Sequence, residues 1–319
     1  MASPLGFEYF PARASAFPFI RDTLGFDVYL RTSDDAFAQI FEAGREVDAD
    51  ILANYLLKGV NVFYVPMAQR SAFLTQCLGV AQALCKSKEM ESEASHRLLD
   101  DIAMSALADV FAYGRFDQSS AQLVHGITEL YSQIAQTQPV VLSHLLKLAR
   151  AKTDLTKHMI TTSIFATLIA HAHDPSDQNL ILASGYAGFV HNIGFAVLTV
   201  TPNEYAQNLS AEERRDVSRH PTKGAELMIK NKGILDQVIS AVIQHHEAFD
   251  GSGYPNKLSG HAISMGGRIV GLAARFAFLI GGGESENPVS AEEAIDLIRK
   301  SGKCDPELVN QLAQLLHIK

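Results

Sequence analysis

The chain has 319 residues, 47% of them apolar and 19% charged, with a formal charge of −8. That length predicts two domains, and the composition supports a large core and argues against a disordered chain. The negative balance argues against broad binding to nucleic-acid polymers, which takes many phosphate-neutralising cations, so an anionic small substrate would need a local cationic or metal-lined pocket.

No basic segment followed by an apolar stretch opens the chain, so no signal peptide is expected. Residues 26–31 alternate and predict a strand. Residues 48–58 carry Ile51, Leu52, Tyr55 and Leu56 at helical spacing, with Gly59 as the stop. Residues 60–65 predict a second strand, ended by Pro66. Residues 1–67 therefore read as a small α/β module in which no chemical motif stands out. From Ala68 the pattern turns helical. Residues 69–86 and 93–113 predict long helices, and 68–138 reads as a connecting region of packing helices or a homodimer surface. Cys77, Cys85 and Cys304 lack metal-type spacing and read as reduced thiols of a cytoplasmic protein.

Residues 139–319 hold most of the histidines and few strand signals. Ser210 with Glu213, and Ser290 with Glu293, fit capping boxes, and Asp305-Pro306 fits an N-cap followed by proline. The region predicts an all-α bundle, in which metal sites form between facing helices. Its longest apolar run, 269–280, is interrupted by Arg275 and reads as core helix, not as a membrane span.

Within that bundle, Asp154 and His158 are four apart, on a helical face that continues through Thr161, Thr162 and Phe165. His191-Asn192-Ile193-Gly194 ends an apolar run, and Pro221 leaves His220 at a helix N-cap. His245-His246-Glu247 ends the apolar run of Val238, Ile239, Ala241, Val242 and Ile243. A glycine-rich turn then fixes Tyr254 and Pro255. Taken singly, each of the earlier sites fits a cap or a buried histidine. His171 and His173 fit a helix C-terminus, His261 carries no assignment, and His96, His125, His144 and His317 fit surface or packing positions. Imidazole and carboxylate without thiolate suit iron, manganese, nickel or zinc. Five imidazoles and a carboxylate exceed the needs of one tetrahedral ion, which suggests two ions about 3.5–4 Å apart, able to bind a phosphodiester and hold a water for in-line attack.

The string His-His-Glu-x-x-Asp-Gly-x-Gly-Tyr-Pro, residues 245–255, resembles the signature of the HD-GYP family. The resemblance covers roughly the last 180 residues. It implies a helical bundle with two or three metals, often iron, and hydrolysis of cyclic di-GMP. It implies metal ligation by Asp154, His158, His191, His220, His245 and His246, and catalytic positions at Asn192 and Asp250. It also implies a Gly-Tyr-Pro loop that shapes the site and can dock partner signalling domains. The chain departs from the family pattern in several places. Asp154 stands for glutamate, Asn192 for the metal-bridging aspartate, Phe195 for a lysine facing phosphate, and Ala274 for a further carboxylate; Gly281-Gly282-Gly283-Glu284 replaces a basic stretch. Lys223, Tyr254, Pro255, Lys257 and Arg275 are the candidate substrate contacts that remain.

The expectation is thus a mainly α protein, an all-helical HD-type bundle behind a small N-terminal α/β domain. Its expected role is a phosphodiesterase for a cyclic dinucleotide, with two divalent transition-metal ions, iron first. The alternative is a catalytically degenerate domain that senses cyclic di-GMP or docks a partner, with structural metals.

Overall fold

The computed structural model describes residues 9–20, 23–33, 36–86, 93–137, 154–199, 209–282 and 288–318. His144, Gly283 and Glu284, and the side chains of Cys85 and His96, lie outside the described residues. The chain divides into two units, Met1–Ala112 with Gln122–Ile127, and Tyr113–Ala121 with Thr128–Lys319.

The first unit is built on an antiparallel sheet of β1 (Tyr9–Arg13), β2 (Val28–Ser33), β3 (Ala36–Phe41) and β4 (Val62–Pro66), in the order β1-β4-β2-β3. The two expected strands are there, as β2 and β4; β1 and β3 are additional. Pro11 confines β1 to an edge, because proline has no N–H to give to a second neighbour. Helix α1 (Ala49–Leu57) starts at Asp48, whose carboxylate accepts the N–H groups of Asp50 and Ile51 at 3.0 Å. The chain leaves it through Gly59 at φ +79°. Phe10, Phe17, Phe26, Phe63 and Phe73 interlock beneath the sheet, with ring centroids 5.1–6.3 Å apart. Helices α2 (Arg70–Lys86), α3 (Glu93–Tyr113) and α4 (Gln118–Thr137) follow.

Beyond residue 154 the described residues contain no strand. The helices are α5 (Leu155–His173), α6 (Gln178–Val190), α7 (Ala211–Val217), α8 (His220–Met228), α9 (Asp236–Gln244), α10 (Met265–Ile280), α11 (Ala291–Ser301) and α12 (Pro306–Leu315). Every residue of α5 from His158 to Ala170 is buried, which makes it a central helix rather than an amphipathic one. Helices α6 and α10 pack on it. At Gly188 a Cβ would lie 2.8 Å from the Ser163 Cα, so only glycine lets the α5 and α6 backbones touch. The Ser163 hydroxyl donates to the Gly185 carbonyl at 2.8 Å across the same contact. This approach brings the end of α6 to the start of α5, where the first two site histidines sit.

Ser210 and Glu213 form the expected reciprocal capping box, and Asp305 accepts the Glu307 N–H ahead of Pro306; at Ser290 one half of the expected box is described, the hydroxyl accepting the Glu293 N–H. One expectation is corrected: Arg219, not His220, is the N-cap of α8, and it makes no side-chain cap bond. His220 is the first helical residue and uses its ring elsewhere. The segment Gln178–Val197 is long and apolar enough to cross a membrane by length and composition, yet 78% of its most apolar window is buried inside the protein, the environment of a core helix.

Candidate metal centre

Three of the site histidines share one local device. The Nδ1 of His191 meets the Gly188 carbonyl at 2.7 Å, that of His220 the Val217 carbonyl at 2.8 Å, and that of His245 the Val242 carbonyl at 2.6 Å. Each carbonyl lies three residues earlier, in the last turn of α6, α7 or α9, where helices leave C=O groups without an intrahelical donor. The ring satisfies that carbonyl by donating its Nδ1 hydrogen. The tautomer is thereby set, and Nε2 keeps a lone pair that points away from the helix end.

Those lone pairs converge. The Nε2 atoms of His220 and His245 are 3.1 Å apart, and the Nε2 of His191 is 3.3 Å from that of His158. His220 and His245 have both committed their hydrogens to carbonyls, so neither can donate to the other. Two acceptors at that separation need a cation or an added proton between them. The ring centroids continue from His158 to His191 (5.2 Å), to His245 (5.0 Å), to His220 (5.1 Å) and to His246 (5.0 Å). His220, His245 and His246 have ligand atoms within 4.8 Å of one another and could hold a metal ion. His191 and His220 are fully buried, and His158 and His245 nearly so. A buried set of neutral imidazoles fits a divalent transition metal.

The surrounding residues orient this set. Phe195, where the family pattern has lysine, stacks on His220 at 4.3 Å and 18°. Gly194 has no room for a Cβ, which would fall 2.0 Å from the His220 carbonyl, so the turn after His191 rests directly on the start of α8. Tyr254 stacks on His246 at 4.6 Å and 14°, and its N–H donates to the His246 carbonyl at 3.1 Å. Glu247 holds the glycine-rich loop shut by accepting the N–H groups of Asn256 at 2.6 Å and Leu258 at 2.9 Å. Sequence reasoning passed over that role, although an acidic residue before such a loop was the available signal.

The other candidates are spread more widely. Asn192 is fully buried beside His191, and Ala274 is buried in α10. Asp154 is exposed at the N-cap of α5, one turn from His158, where its carboxylate accepts the Lys157 N–H at 2.8 Å. Asp250 is exposed and bound to the N–H and hydroxyl of Ser252, which hold its carboxyl below the usual range. Lys223 pairs with Glu226 at 2.6 Å, and Pro255 and Lys257 are exposed. Arg275 lies over the Phe278 ring at 5.7 Å and, with Tyr254, His245 and His246, lines a cavity of about 340 Å³. Two further groups there had not been singled out for the site. Arg268 and Asp305 form a buried pair at 2.5 Å, and Cys304 has its thiol pushed up to about 12 by burial, against the pull of Arg275. The Asp305 signal was read as a cap alone; its second oxygen does this other work.

A model of the HD domain matches residues 129–308, more than half of the chain. The chain belongs to the HD domain family. Its Gly-Tyr-Pro string places it with the HD-GYP proteins. It is 28% identical over 236 residues to a cyclic di-GMP phosphodiesterase of Pseudomonas aeruginosa, covering 72% of this chain and 56% of that one. It is 24% identical over 224 residues to a 3′3′-cGAMP-specific phosphodiesterase of Vibrio cholerae, covering 65% and 43%. The HD-GYP chain thus spans about half the length of these curated relatives. In fold it resembles an HDG"Y"P protein from Bdellovibrio bacteriovorus, with a TM-score of 0.69 and 17% identity over 97% of this chain and all of that one.

Proposed function

We propose that this HD-GYP chain is a metal-dependent phosphodiesterase that hydrolyses a cyclic dinucleotide, with cyclic di-GMP the first candidate. The observation that carries the reading is the His220–His245 contact, where two ring nitrogens 3.1 Å apart are placed to share a cation. The activities named for the relatives support the substrate class. We assign His220, His245 and His246 to one ion, and His158 and His191, with Asp154 by resemblance, to a second; iron is the first choice and manganese, nickel or zinc the alternatives. When bound, such ions supply Lewis acidity and a deprotonated water at neutral pH. The chain supplies the rest. Carbonyls of Gly188, Val217 and Val242 keep three imidazoles in the ligating tautomer. Tyr254 and Phe195 fix the planes of His246 and His220. Pro255 is exposed and free to meet a partner domain.

A second reading, a cyclic di-GMP sensor with structural metals, is favoured by Asn192, Phe195 and Ala274, which remove two carboxylates and a cation from the family pattern. The deciding experiment incubates the full chain, loaded anaerobically with iron or manganese, with cyclic di-GMP and with 3′3′-cGAMP, and separates the products. Linear dinucleotide or mononucleotide supports hydrolysis. Tight binding without product removes hydrolysis and leaves the sensor.

A further inference from the structure

Beside the imidazole cluster lies the cavity of about 340 Å³, roughly ten times the ~30 Å³ share of a water molecule and within the size range of ligand pockets. It shares His245 and His246 with the cluster, and Arg268, Arg275 and Lys303 also line it. Two carboxylates, Glu247 and Asp305, also line it, but both are committed. Glu247 accepts two backbone N–H groups, and Asp305 accepts from Arg268 and caps α12. The Cys304 thiol is neutral at physiological pH and adds no negative charge. The Arg268 side chain is only 9% exposed, and its Nε is buried with no hydrogen-bond partner among the described residues.

We propose that this cavity is an anion subsite that takes the second, non-scissile phosphate of the cyclic dinucleotide. The identity of the ligand rests on the function proposed above; the cationic lining does not. A cyclic dinucleotide carries two phosphates on one macrocycle, so an anion site that shares two residues with the imidazole cluster is within reach of the phosphate not being cleaved. The planar fork of an arginine matches phosphate oxygens, and a lysine adds a point charge. None of these three cations belongs to the stretch that the family pattern reserves for phosphate, and in this chain they would offset the loss of lysine at Phe195.

The test is equilibrium binding of a phosphorothioate analogue of cyclic di-GMP, which resists hydrolysis, to the full metal-loaded chain by calorimetry. Lys303→Gln and Arg275→Gln should each weaken binding about tenfold, as expected for loss of a charge-assisted hydrogen bond, with the metal content unchanged. Lys300 is exposed on α11 outside the cavity lining, so Lys300→Gln should bind as the wild type does. Wild-type affinity in the Lys303→Gln/Arg275→Gln double variant overturns the subsite. So does an equal loss in Lys300→Gln, which would reflect bulk charge, or no binding by the wild type. Hydrolysis is read separately, on the wild type with bis(p-nitrophenyl) phosphate. No turnover there, together with Lys303-sensitive binding, removes the hydrolytic reading and leaves the subsite standing.

Discussion

At the scale of single residues, the chemistry rests on where hydrogens are spent. His191, His220 and His245 each give Nδ1–H to a carbonyl three residues back, and each is left with a lone pair on the site side. Removing one such ring should lower metal affinity by at least the about 10–100-fold typical of disturbing the shell outside the ligands; elemental analysis of His245→Ala measures it. Asn192 offers the opposite experiment. It is fully buried beside His191, so Asn192→Asp places a charge in the interior. Without metal the variant should melt below the wild type; with metal it should melt above it and hold the ion more tightly. Melting curves that ignore metal would show that position 192 does not face the ions. Cys77 gives a pH signature in the first unit. Burial pushes its thiol well above the usual range, so the folded chain keeps a proton that the unfolded chain releases. Stability is therefore full below the unfolded thiol value of about 8.5 and should fall as pH rises beyond it. A urea midpoint that is equal at pH 7.5 and pH 10 would contradict that linkage.

At the scale of elements, the site depends on backbones that touch. Gly194→Ala would drive a Cβ into the His220 carbonyl, and the start of α8 must move away. The expected cost is about 1–3 kcal/mol, with loss of metal if the moved ring is the ligand proposed above. Retention of both stability and metal in this variant would refute the link between the turn and the site. The Arg268–Asp305 pair ties α10 to the start of α12. Asp305→Ala leaves a buried guanidinium without its counter-charge, at about 3–5 kcal/mol, measurable by urea unfolding. Much of this level was legible in the sequence. Helix starts at Ser210, Ser290 and Asp305 were written in capping chemistry, which is local. The histidine set was legible because its order and spacing are linear. What escaped was non-local. Strands β1 and β3 carry weak signals of their own and exist through pairing with β4 and β2. The stacking of Phe195 on His220, the Glu247 clamp and the Arg268–Asp305 pair join residues that only folding brings together. Asp154 and Asp250 show the converse: each fits a motif, yet the hydrogen bonds described for their carboxylates are to a helix cap and a turn.

At the scale of the whole molecule, the ions would act as a shared fastener. His158 and His191 come from α5 and the end of α6, and His220 and His245 from α8 and the end of α9, so the two proposed ions together would tie four elements of the helical unit. An ion held at 100 times its dissociation constant should stabilise that unit by about 2.7 kcal/mol. Acid should reverse the effect, because only neutral imidazole ligates and protons compete with the metal. The measurement that bears most directly on the account is the metal content of the full chain after anaerobic loading, determined by elemental analysis on the wild type and on His191→Ala and His220→Ala. The account requires two transition-metal ions per chain in the wild type, with one site lost in each variant. A wild-type chain that binds no transition metal, with both variants indistinguishable from it, would contradict it.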